Sequence, residues 1–263
     1  MRVVIQDNYE KMSKWAAQYI ANKINAHKED RPFVLGLPTG SSPIGVYKEL
    51  VRMNKAGEVS FKNVVTFNMD EYLGLPREHD QSYWYFMHDN FFDHLVDMNP
   101  DNINILNGMA EDPEEECANY EKKIASYGGI DLFMGGIGVD GHLAFNEPFT
   151  SLSSRTGIRK LTTDTRIVNS RFFDNDPEKV PAYALSVGIG TVTDSKEVLV
   201  LINGHNKARA LAKTVAGNVS QVWTCSALQM HNGAIIVCDE AACGELKVDA
   251  YRYFLDIEKD ERL

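Results

Sequence analysis

The run GGIGVDGHLAFNEP, Gly135 to Pro148, gathers Asp140, His142 and Glu147 among glycines. An imidazole flanked by two carboxylates has its tautomer fixed and its proton affinity raised, which suits acid–base work near neutral pH. A lone histidine of this kind is often structural, but two acids and three glycines beside it point to chemistry. The same run holds a literal G-x-G-x-x-G at Gly136, Gly138 and Gly141, the pattern of dinucleotide binding. That reading needs a long helix opening inside the motif and an acidic residue about 20 positions on, at the end of a second strand. Instead Pro148 interrupts at once and TSLSSRTGIRKLTTDT follows, polar and rich in hydroxyls. NAD is therefore not expected, and no other cofactor or metal set is read from the chain. The glycines make more sense as bared backbone at Gly136 and Gly138, open to a small ligand.

Three further stretches carry chemistry. In NMDEY, Asp70 and Glu71 follow an apolar run; adjacent carboxylates on extended chain point to opposite sides, so at most one faces a ligand. Partly desolvated, it would be a general base with a raised pKa. In PTGSSP, Thr39, Gly40, Ser41 and Ser42 precede a helical pattern over Ile44–Met53, and free N–H groups there suit a phosphate. The same residues read as a tight turn with a serine cap, and no G-K-[ST] follows, so a nucleoside triphosphate is not implied. In NGHNKARAL, Lys207 falls in a first helical turn, where a cation opposes the helix dipole unless an anion bridges them; its neighbour Arg209 reads as solvated. Arg171, in NSRFF, belongs to a segment with few core signals, read as a flap. A phosphate cradle, a strand-end carboxylate and a histidine–acid cluster suit proton transfer on a sugar phosphate, such as aldose–ketose isomerisation.

These groups need a scaffold. Short apolar runs at Phe33–Leu37, Val64–Phe67, Ile130–Met134, Ala184–Val187, Val198–Ile202 and Ala234–Cys238 alternate with helical patterns, as a doubly covered parallel sheet requires. A first strand at Val3–Ile5 leads into a helix from near Asn8, with Met12, Trp15, Ala16, Tyr19, Ile20 and Ile24 at helical spacing. The expectation is one α/β/α sandwich over residues 1–263, with ligands at the carboxyl ends of the strands. The net charge of −10 opposes a nucleic-acid partner, which wants a basic face. No run is long and apolar enough for a membrane span and no secretory core opens the chain, so no membrane partner and a cytoplasmic place are expected. Cys117, Cys225, Cys238 and Cys243 show no zinc-like spacing and read as reduced thiols.

LGLPTGSSP, TFNMDEY, LFMGGIGVDGHLAFNEP, SSRTGI, NSRFF and NGHNKARAL, in this order, resemble the glucosamine-6-phosphate deaminases, over nearly the whole chain. The resemblance implies a modified Rossmann-like α/β/α sandwich, hexameric in bacterial members of this length. It implies hydrolytic isomerisation of glucosamine 6-phosphate to fructose 6-phosphate and ammonium, without a cofactor. Carried over, His142 helps to open the sugar ring, Asp140 and Glu147 orient it, and Asp70 shuttles a proton from C2 to C1. Thr39 to Ser42, Arg171 and Lys207 would hold the phosphate, with a lid over residues 161–184. Members activated by N-acetylglucosamine 6-phosphate carry a basic pair in R-T-R-I-K; here the run is R-T-G-I-R-K, Arg155 to Lys160, with Gly157 in the first basic place. Thr150, Arg159, Lys160 and Tyr253 would remain of that effector site, so activation is expected to be weak or absent. The 6-phosphogluconolactonases resemble the chain around G-x-G-x-D-G-H but continue S-L-F-P instead of A-F-N-E-P, which makes Glu147 discriminating. A sugar-phosphate-sensing domain of a transcription regulator would need a DNA-reading extension that this acidic chain does not show.

Overall fold

The computed structural model describes residues 1–263. Ten strands form, β1 Arg2–Gln6, β2 Phe33–Leu37, β3 Val64–Asn68, β4 Asp70–Tyr72, β5 Ile103–Asn104, β6 Leu132–Gly136, β7 Gly157–Lys160, β8 Tyr183–Ser186, β9 Glu197–Ile202 and β10 Ala234–Asp239. Seven of them make an all-parallel sheet in the order β1-β10-β9-β6-β2-β3-β5. Their side chains alternate between two cores, as a sheet covered on both faces must. Val34, Val65, Phe133 and Val200 enter one core, whereas Leu35, Val64, Leu132 and Leu201 enter the other.

The helices α1 Tyr9–Ala26, α2 Ile44–Lys55 and α3 Tyr83–Asn90 cover the second core through Met12, Ile20, Tyr47, Leu50 and Met87. The helices α4 Pro113–Ser126, α6 Ile189–Thr193 and α7 Ala208–Ala216 cover the first, through Tyr120, Ile124, Val192 and Leu211. The short helix α5 Thr163–Asn169 lies between β7 and β8, and α8 Val248–Ile257 packs on edge strand β1. Asn8 accepts from the Lys11 N–H and starts α1 where the sequence placed it. None of these helices is long and apolar enough to cross a membrane, and all four cysteines are free and buried.

One expected strand belongs elsewhere. The run at Ala184–Val187 does not enter the parallel sheet; β8 pairs antiparallel with β4 and β7 in a separate three-stranded sheet. An apolar run reports burial on both faces but not which partners supply it, so the sequence pattern could not separate the two sheets. A small third core of Tyr72, Phe145, Leu161, Phe173, Val180 and Ala184 lies against this second sheet.

Glycine 36 shows how tightly the central strands meet. A Cβ there would stand 2.5 Å from the Phe133 ring, which is itself fully buried. Gly36→Ala is expected to destabilise the fold by about 1–3 kcal/mol through overpacking. Urea unfolding of the variant against wild type measures this; an unchanged midpoint would show the ring to be free to move.

Candidate active site

The four strands that carry the candidate residues are neighbours, β9-β6-β2-β3. Because all four are parallel, the loops after them open on one edge of the sheet. The β2 loop carries residues 39–42, β3 runs on to Asp70, the β6 loop carries residues 137–147 and the β9 loop carries Lys207. The order of the strands also reverses here, since β2, β3 and β5 step one way from β6 while β9 and β10 step the other. A crevice at such a switch point is where open α/β sheets bind ligands.

At the β6 end, His142 Nδ1 stands 2.7 Å from Asp140 Oδ1 and 3.8 Å from Glu147 Oε2. The shorter contact brings the ring nitrogen and the carboxylate into direct approach. Burial pushes the Asp140 carboxyl upward, but the His142 ring and nearby backbone N–H groups outweigh it and hold it at about 2. Glu147 faces two ways. Its Oε1 accepts from the Thr162 N–H (3.1 Å), the Thr162 hydroxyl (3.2 Å) and the Thr165 hydroxyl (2.6 Å), while Oε2 is buried with no partner beside His142. The carboxylate therefore stands between the imidazole and the first turn of α5.

The glycines have local reasons. A Cβ at Gly138 would stand 2.4 Å from the His142 ring and 2.5 Å from Asp140 Oδ1, so the missing side chain makes room for that pair. Gly141 has φ +77° and packs under Trp223, which closes the tight turn before His142. Gly136 meets nothing closer than 3.9 Å and leaves the strand end open. Two non-glycine residues, Ala144 in the loop and Phe149 just after it, also have positive φ, the kind of strain that surrounding contacts must hold in place.

Asp70 opens β4 and is buried. Burial, with the Glu71 charge beside it, pushes its carboxyl well above the usual range, and no hydrogen bond holds it down. Glu71 turns the other way and accepts from the backbone N–H groups of Tyr72, Tyr83 and Trp84, fixing the start of α3. The two acids do divide as extended chain requires. Asp70 pairs with Ser186, whose hydroxyl accepts from the Phe145 N–H, so the base lies one strand from the histidine loop.

The β2 loop joins the same edge. The N–H groups of residues 39–42 have no acceptor within the chain. No serine caps α2; Tyr9 does so instead, its hydroxyl accepting from the Gly45 N–H at 2.8 Å. The Ser42 hydroxyl donates to Asn203 Oδ1 (2.6 Å), tying the β2 loop to the β9 loop. Lys207 stands in a 3-10 turn, His205–Lys207, just ahead of α7 instead of inside its first turn. Its Nζ reaches the Ile137 carbonyl at 2.6 Å, so it points across to the histidine loop. Burial pulls its pKa down to about 8, with Arg171 adding to the fall and Asp140 opposing it. Arg171 lies on the 3-10 turn after α5, exposed, with its guanidinium 4.6 Å over the Phe172 ring. Arg209 is exposed as expected.

The chain is similar to known proteins. Residues 7–237 match the family model described as glucosamine-6-phosphate isomerases/6-phosphogluconolactonase. A glucosamine-6-phosphate deaminase of Phocaeicola vulgatus is 65% identical over 261 residues, covering 98% of this chain and 99% of that protein. The chain belongs to the glucosamine-6-phosphate deaminase family. A solved monomeric deaminase of the family is 41% identical with a TM-score of 0.87, over 92% of this chain and 98% of that one. A 6-phosphogluconolactonase from Trypanosoma cruzi shares the fold alone, at 18% identity and a TM-score of 0.73, over 94% of this chain and 97% of that one. Deaminases of this family are therefore not uniformly hexameric. The family is described as isomerases, so the hydrolase class read from the sequence is not supported.

Of the effector residues, Arg159 and Lys160 lie on β7, Thr150 in the loop before it, and Tyr253 exposed on α8. Arg159 donates to Asn146 Oδ1 (3.0 Å) and the Arg155 carbonyl (2.6 Å). Tyr253 is not brought to them, since α8 packs on β1 while β7 packs on β8 and α4. Sequence reasoning missed the residues that brace the histidine loop. Asn146 donates to the Leu143 and Val187 carbonyls, and the Thr224 hydroxyl donates to the Asn146 carbonyl while accepting from the Leu143 N–H. Thr224 lies far along the chain, and no local pattern marks it.

Proposed function

We propose that the protein converts glucosamine 6-phosphate and water to fructose 6-phosphate and ammonium, as its relatives' name describes. The observation that carries this is the shared edge of four adjacent parallel strands, where Asp70, His142, Lys207 and the free N–H groups of residues 39–42 all stand. The phosphate would sit on those N–H groups, the Thr39 and Ser41 hydroxyls, Lys207 and Arg171. Binding energy spent there, away from the reacting carbons, holds C1 and C2 near Asp70. His142 moves a proton between the anomeric hydroxyl and the ring oxygen, with Asp140 and Glu147 orienting the ring. Asp70 takes the C2 proton and returns it to C1, turning the 2-amino aldose into a 2-imino compound. Water adds to that carbon and ammonia leaves, so hydrolysis completes an isomerisation.

Residues 161–184 act as a lid in this account. They carry Arg171 and the exposed Ile167, Val168 and Phe172, and their first turn hangs on Glu147 beside His142. A substrate phosphate carries charge that a bilayer excludes, so a cytoplasmic place fits the reading. A hexamer is the assembly the sequence resemblance implies; sedimentation of the purified chain checks it against the monomer known for the solved relative.

Two results are expected from kinetics. Lys207 should give kcat/KM an alkaline limb near pH 8, because loss of its proton weakens the phosphate grip, while kcat changes less. Lys207→Arg should move that limb upward, and a limb that stays in place would assign it to another group. Titration with N-acetylglucosamine 6-phosphate should leave the substrate curve nearly unchanged, because Gly157 removes a charge-assisted contact worth about 1.5–3 kcal/mol. A strong shift from sigmoidal to hyperbolic would contradict this. The function itself is tested by offering glucosamine 6-phosphate and 6-phosphogluconolactone in parallel. Turnover of the amino sugar alone supports the proposal, and turnover of the lactone alone replaces it with the lactonase reading.

A further inference from the structure

A second cleft lies away from the candidate active site, beyond the edge strand β5 and between α3 and α4. Its volume is about 440 Å³, within the range of small-molecule sites. Trp84 and His88 stack on one another at 3.9 Å and 27° and give it a flat aromatic wall. Tyr120 stands in the wall and Glu116 lines the cleft, its Oε1 accepting from the Asn107 N–H at 2.9 Å. Two cations, Arg77 and Lys123, line it as well, and neither forms an ion pair.

We infer that this cleft binds a small ring compound carrying a phosphate, of the chemical class of a nucleoside monophosphate. A planar base stacks on Trp84, and such stacking tolerates any base because each has a π-face. The phosphate takes Arg77 and Lys123, which are free to make charge-assisted contacts. The free oxygen of Glu116 accepts from the ribose hydroxyls.

The cleft is wired to Asp70 from both sides. Trp84 donates its backbone N–H to Glu71 at 2.9 Å, next to the base. The Tyr120 hydroxyl shares its one proton between the Asn68 carbonyl at 2.7 Å, two residues before Asp70, and the Asn104 carbonyl at 3.0 Å. A ligand that stiffens Trp84 and Tyr120 therefore braces the strand that presents Asp70, and its differential effect on that strand is what would make it a regulator.

Calorimetric titration of the whole protein with AMP tests the site, with no readout of activity, so it stands or falls apart from the proposed deaminase reaction. Saturable binding at one site per chain is expected. Lys123→Glu and Arg77→Glu, both exposed positions, should each weaken it by about tenfold or more. Trp84→Leu should weaken it too, with Trp84→Phe retaining most of the affinity. Inorganic phosphate and adenosine should each bind more weakly than AMP, since each lacks half of the contacts. Lys207→Met, which alters the other phosphate cradle, should leave AMP binding unchanged. Absence of saturable binding would overturn the inference. So would binding abolished by Lys207→Met and indifferent to Lys123→Glu, which would place AMP at the active site.

Discussion

Asp70→Asn is expected to lower kcat on glucosamine 6-phosphate by about 10³-fold or more, with KM changed far less. A positioned general base contributes roughly 10²–10⁴-fold, and no neighbouring group can take its place. Glu71 is committed to three backbone N–H groups at the start of α3 and faces away. The substitution keeps size and shape at a buried position, so the fold should survive. Removing a buried charge that burial and Glu71 already disfavour should, if anything, stabilise it. The expected signature is a protein as stable as wild type or more so, that binds substrate and does not turn it over. A residual rate within tenfold of wild type would move the base to another residue.

His142→Gln should cost less, about 10–100-fold in kcat/KM. The imidazole acts on ring opening, and a pyranose opens slowly without help, so the variant is limited by the supply of the open chain. The loss should therefore shrink for any substrate offered already open, whereas Asp70→Asn should be equally inactive on both. This contrast separates the two roles better than either variant alone. An equal loss on open and closed forms would place His142 in the proton transfer between C2 and C1. The amide does not titrate, and the Glu147 bonds to Thr162 and Thr165 do not involve residue 142, so they should remain intact.

Much of this was legible in the sequence because burial on both faces writes itself as short apolar runs. β2, β3, β6, β9 and β10 all appear that way, and the loops after four of them carry the site. The second sheet was not legible. β4 is the three residues Asp70–Tyr72 and β7 alternates half-buried and exposed positions, so neither stands out, and β8 looks like any strand of the main sheet. The histidine–acid cluster was visible because its members are neighbours in the chain. Its supports were not, because Ser186 and Thr224 reach its loop from distant segments of the chain, as Asn203 reaches the β2 loop. The glycines around it were visible but for a partly different reason, since Gly138 makes space for His142 itself. Even Lys207 was placed by a dipole argument, whereas its position is set by the Ile137 carbonyl across the cleft.

The most direct test is to incubate the purified chain with glucosamine 6-phosphate and follow fructose 6-phosphate and ammonium in one time course. Equal amounts of both, rising together and vanishing in Asp70→Asn, are the expected result. Ammonium without the ketose, the ketose without ammonium, or no product at all from a folded sample would contradict a carboxylate and an imidazole working on one phosphate-anchored amino sugar.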